Sequence, residues 1–73
     1  MAKLYHLDML EIYVQQKVLW AANRRVAILK SQSEGKCYQH LCRIEHLLNL
    51  PNIKVETIRG LIRKIRMIIH ANS

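Results

Sequence analysis

Hydrophobic residues recur at helical spacing over most of this chain. Set 100° apart, residues 4–31 place them in two stripes on roughly opposite sides of one continuous helix. One stripe runs through Leu7, Leu10, Val14, Val18, Ala21, Ile28 and Leu29, the other through Tyr5, Met9, Ile12, Tyr13, Trp20 and Ala27. Asp8, Glu11 and Gln15 line one seam between them, and His6, Lys17 and Arg24 line the other. A surface helix carries a single apolar stripe, so two stripes predict burial on two sides. The polar run Ser31, Gln32, Ser33, Glu34, Gly35, Lys36 marks one break. Asn49, Leu50, Pro51, Asn52 marks another, where Pro51 disfavours helix at Leu50 and Asn52 can cap the next helix. The pattern predicts three helices, at 4–31, 36–49 and 53–70, and no strand. The expected class is all-α in one small domain, a long N-terminal helix followed by a helical hairpin.

The last of these helices has one apolar face, made by Val55, Ile58, Leu61, Ile62, Ile65, Ile68 and Ile69. Glu56, Gly60, Arg63 and Met67 centre the opposite face. Arg59, Arg66 and His70 flank one side, Thr57 and Lys64 the other. A basic amphipathic helix of this kind suits a DNA groove, a membrane surface or a partner's groove.

Charge favours the first of these. The chain has 12 Lys plus Arg against 5 Asp plus Glu, a net charge of +7. Residues 1–35 carry five bases and three acids, a balance of +2; residues 36–73 carry seven and two, a balance of +5. Positive charge concentrated in one half points to a polyanion such as nucleic acid, or less often an anionic membrane or an acidic protein. Disorder is excluded by a 51% hydrophobic, 23% charged composition. A fold of 73 residues buries only about 60% of the surface of its unfolded chain. The second stripe of the first helix is therefore expected to meet another copy of the chain. Tyr5, Met9, Ile12, Tyr13 and Trp20 are the expected homodimer interface.

Residues 44–66, IEHLLNLPNIKVETIRGLIRKIR, resemble the helix-turn-helix of bacterial and phage DNA-binding proteins. Ile44 and Leu48 stand at the apolar positions of the first helix, Asn49 at the turn, Leu50 just after it, and Val55 and Ile58 on the second helix. Two short helices crossing steeply must share a small core and reverse within three or four residues. Asn49 stands where that family usually has glycine and is the next-best residue for a left-handed backbone. Glu45 departs from the small residue usual at the helix crossing. The resemblance implies a small transcriptional regulator that binds double-stranded DNA. Asn52, Lys54, Glu56 and Thr57 would then approach base edges. Gly60 would allow close approach, and Arg63 could reach a guanine or a phosphate. Arg59, Lys64 and Arg66 would hold phosphates.

Other chemistry adds little. Cys37, His40, Cys42 and His46 include zinc-binding residue types, but on one helix Cys37 and His40 share a side while Cys42 and His46 lie well around from it. Cys37 and Cys42 sit about 140° apart around a helix, so no bridge between them is expected. No carboxylate pair or glycine-rich phosphate loop suggests catalysis or a cofactor, and the expectation is a non-enzyme. Without a visible signal peptide or an apolar run near about eighteen residues, a reduced cytoplasmic protein with free thiols is expected. The alternative function is a helical interaction module that regulates another protein, such as a transcription factor, by binding its surface. HLLNLPNIKVET is similar to a Leu-Pro-Ile-Thr-Val-Glu stretch in the N-terminal domains of transcription elongation factors, which fits that role, although the glycine-containing turn found next in that family is missing.

Overall fold

A computed structural model of the chain describes residues 2–72, Ala2 by its backbone alone. It holds four α-helices: α1 (Ala2–Gln16), α2 (Leu19–Ser31), α3 (Gly35–Leu48) and α4 (Val55–Ala71), with no strand among the described residues. The class is all-α, but the helix count differs from the three expected. The long first helix is two helices.

The break falls at Lys17 and Val18, where neither glycine, proline nor asparagine stands. Lys17 takes a left-handed backbone, φ 59°. Its N–H donates to the Val14 carbonyl at 3.1 Å, and the Val18 N–H donates to the Tyr13 carbonyl at 2.9 Å. Those two bonds make a Schellman motif, which usually places glycine at the left-handed position. A residue with a Cβ is disfavoured there by about 1–2 kcal/mol. Folding α2 back offsets this by burying Ala22, Val26 and Leu29, whereas an unbroken helix over 4–31 would be roughly 42 Å long with much of its apolar surface uncovered. Lys17→Gly is therefore expected to raise stability by about 1 kcal/mol, read as a rise of about 4–8 °C in Tm. Lys17→Val should lower it, because a branched side chain tolerates this backbone least.

Each helix packs on its neighbour in sequence, and α4 returns to α1; the diagonal pairs α1/α3 and α2/α4 make no close backbone approach. Side-chain pairs fix the directions. Asn23 with Asn49, and Lys30 with Glu45, set α2 antiparallel to α3. Glu11 with Arg59, and Asp8 with Arg66, set α4 antiparallel to α1. The result is an up-down-up-down four-helix bundle measuring 35 × 19 × 18 Å.

The core takes Leu7, Leu10 and Val14 from α1 and Ala22, Val26 and Leu29 from α2. From α3 it takes Leu41, Ile44, Leu47 and Leu48, and from α4 Ile58, Leu61, Ile62 and Ile65. The α4 face matches its sequence pattern, with Val55 and Ile69 half-buried at the ends. Two expectations about the second break are corrected. Asn49 is not left-handed: its φ is −101°, and its side-chain amide donates to the Glu45 carbonyl at 2.7 Å and to Asn23 at 3.3 Å. Asn52 does not cap α4, whose N-cap is Lys54 without a side-chain bond. The connector over 49–54 is long enough to reverse the chain without a left-handed residue. No helix among the described residues is long and apolar enough to cross a membrane.

Candidate interaction surfaces

The first stripe of the N-terminal segment supplies Leu7, Leu10, Val14 and Leu29 to the core, and most of the second is left outside. Trp20 is 73% exposed, Tyr5 55% and Ile12 42%; Met9 and Tyr13 are half-buried, Tyr13 against α2. Tyr5, Tyr13 and Trp20 thus share the outer side of the α1–α2 hairpin. The hairpin adds Arg24 and Arg25, which with Tyr13, Trp20, Ala21 and Ile28 line a shallow hollow. Arg25 is held in place from three sides. Its guanidinium lies 5.5 Å from the Tyr5 ring centre and 6.0 Å from that of Tyr13, and it donates to His6 Nδ1 at 2.8 Å. Arg24 is exposed and makes no ion pair among the described residues. Arg25 carries no expected role in the sequence pattern. A signal for this pair existed: Trp20 and Arg24 are four residues apart, hence on one side of a helix, in a segment with no acidic residue.

The residues expected to meet DNA fall into two groups. Asn52 and Lys54 stand on the connector, Glu56 and Thr57 in the first turn of α4, and Arg63 and Lys64 further along, all exposed. Gly60 lies on the same outer side, and a Cβ there would meet nothing within 4 Å. Arg59 and Arg66 are different, because each is paired within the bundle. Both flank the apolar face on the side that meets α1. Arg66 bonds Asp8 at 2.6 Å and Glu11 at 2.7 Å; Arg59 reaches Glu11 and Glu56, each at 3.4 Å. Partial burial of the Arg66 guanidinium works against its charge, but hydrogen bonds to Asp8 and Glu11 outweigh that and hold it above its ordinary range. The flank of a packed face is where a neighbouring helix sits, so a charge there finds a partner before it finds solvent. On α3, Glu45 similarly holds Lys30 of α2 at 3.0 Å, which raises the lysine pKa.

Cys37 and Cys42 are free thiols, both half-buried. Among the described residues, no three His, Cys, Asp or Glu side chains converge as a metal centre requires. At the end of the bundle where α1 begins and α4 finishes, a wide hollow floored by Leu4, Cys37 and Ile69 opens to solvent. No family model, curated protein or solved structure matches the chain.

Proposed function

We propose that this chain is a helical interaction module that binds another protein across the outer face of α1 and α2. The observation that carries the reading is the exposure of Trp20 within one surface that also holds Tyr5, Tyr13, Arg24 and Arg25. Trp, Tyr and Arg dominate the residues whose loss most weakens protein interfaces. Burying one large apolar side chain contributes about 1.5–3 kcal/mol, so leaving several in water forgoes a gain that a partner would recover.

The test is site-specific photo-crosslinking in cells from two positions. A benzophenone amino acid at position 20 is expected to trap protein adducts, and the same group at position 63 to trap none above background. Nucleic-acid adducts from position 63, with none on protein from position 20, would transfer the function to α4.

A second reading keeps DNA binding through α4, favoured by the exposed Lys54, Arg63 and Lys64 beside Gly60 and by the charge of the C-terminal half. With Arg59 and Arg66 held by α1, fewer cations remain to meet phosphate. On this reading log affinity for random duplex should fall with log salt at a slope near about −3, for three or four phosphate contacts. Gly60→Glu adds helix propensity and a negative charge to the outer face, so it should abolish that binding while stability holds or rises. Unchanged affinity in an electrophoretic shift would remove α4 from the interface.

A further inference from the structure

We infer that the outer α1–α2 face receives an acidic segment with an aromatic or aliphatic anchor, rather than a second copy of this chain. The inference rests on the proposed interaction role and names the partner's chemistry.

The charge around the face has one sign. Arg24 and Arg25 lie beside the aromatics of the face, and α2 contains no acidic residue. The carboxylates of α1 are engaged elsewhere: Asp8 and Glu11 turn to α4, where Arg59 and Arg66 hold them. No carboxylate among the described residues of the face neutralises its cations.

That balance separates the two occupants. In a two-fold symmetric contact the same patch lies on both sides, so each copy would bring its Arg24 and Arg25 into an interface to which neither brings a free carboxylate. Four guanidinium groups would lose water with no counter-charge, and such juxtapositions exclude partners. The whole chain carries +7, so approach of two copies is repulsive at long range as well. An acidic segment reverses every one of these signs. Its carboxylates can take two parallel bonds from the exposed Arg24 guanidinium. The shallow hollow between Tyr13, Trp20 and Ile28 sets aromatic and aliphatic surface for one anchor side chain directly beside Arg24 and Arg25. Arg25, already fixed over Tyr5 and Tyr13, is pre-set and loses little freedom on binding.

Trp20 is the one tryptophan of the chain, so its emission reports directly on this face. Three short synthetic peptides with the same Phe and Leu anchors would be titrated into the full chain, their other positions filled by Asp and Glu, by Asn and Gln, or by Lys. Expected is a blue shift that saturates with the acidic peptide at an affinity at least about tenfold above the Asn/Gln peptide, narrowing with salt. Arg24→Ala should reduce the acidic peptide's affinity several-fold, reduce that of the Asn/Gln peptide by clearly less, and leave the melting curve unaltered. Arg24→Glu should shift preference toward the lysine peptide. Equal affinity for the acidic and the Asn/Gln peptides would overturn the charge assignment while the interaction reading stands. A blue shift that grows with protein concentration alone, with a doubled mass by light scattering, would give the face to a second copy. No shift with any peptide and no self-association would remove both the inference and the reading it rests on.

Discussion

Replacing Ile62 by alanine is expected to lower stability by about 2–5 kcal/mol, a loss of roughly 10 °C or more in Tm. Ile62 is fully buried in the core it shares with Leu10, Val26 and Ile44, in a bundle whose diagonal helices make no close backbone approach. With the centre of the ring filled by side chains alone, the lost methyl and methylene groups leave a void that the backbones can close only by moving together. A domain this small has about 5 kcal/mol or so in hand, so much of the variant should be unfolded at body temperature. Ile62→Val should cost only about 0.5–1.5 kcal/mol. Urea denaturation followed by helical circular dichroism gives both numbers. Equal midpoints for Ile62→Ala and the parent chain would mean that α4 does not close the ring.

Reversing Arg66 to glutamate is expected to have the next largest effect, about 1–3 kcal/mol. The guanidinium is 28% exposed and Glu11 only 23%, so their attraction is less screened than that of a surface pair; Asp8, at 63%, adds less. The substitution removes both bonds and sets a third carboxylate beside two. Arg66→Met, which keeps the packing of the stem, should cost about 1 kcal/mol or less. Adding Glu11→Lys should recover much of the loss in the reversed variant, and a double-mutant cycle isolates the pair. Added salt should narrow the gap between the parent chain and Arg66→Glu, because it weakens the parent's attraction and the variant's repulsion alike. No recovery by the second substitution would show that Arg66 acts through packing.

How much of this was legible in the sequence varied with the range of the interaction. The inner face of α4 can be read directly, because Ile58, Leu61, Ile62 and Ile65 repeat at helical spacing within one uninterrupted element. The start of α3 is equally plain, at a glycine with φ 64° after a polar run. The turn at Lys17 is not, since a lysine there looks like any solvated helix position and the reversal depends on what α2 buries afterwards. Carrying the helical phase across that turn hides Ala22 and Val26, which belong to the core, and puts Trp20 on a continuous stripe with Tyr13. The second stripe itself is legible as a surface in want of cover. Its cations are harder to see, because whether Arg24 stays exposed and Arg66 finds its carboxylates depends on which helices become neighbours, and Arg66 and Asp8 are 58 residues apart. The same distance dependence hides the pairing of Arg59 and Arg66 with α1 from the pattern of α4 alone.

The order of packing around the ring also sets the tempo of folding. Three of its four seams join helices adjacent in the chain, so each can form by closing a short connector. Chains built from such local contacts fold in roughly microseconds to milliseconds. The seam between α1 and α4 alone must gather the two ends of the molecule, and Arg66 with Asp8 and Glu11 sits on it. It is the natural last step in and first step out. Weakening the clamp should then leave the refolding rate nearly untouched and shorten the lifetime of the closed bundle, whereas weakening the α2–α3 seam should slow its assembly.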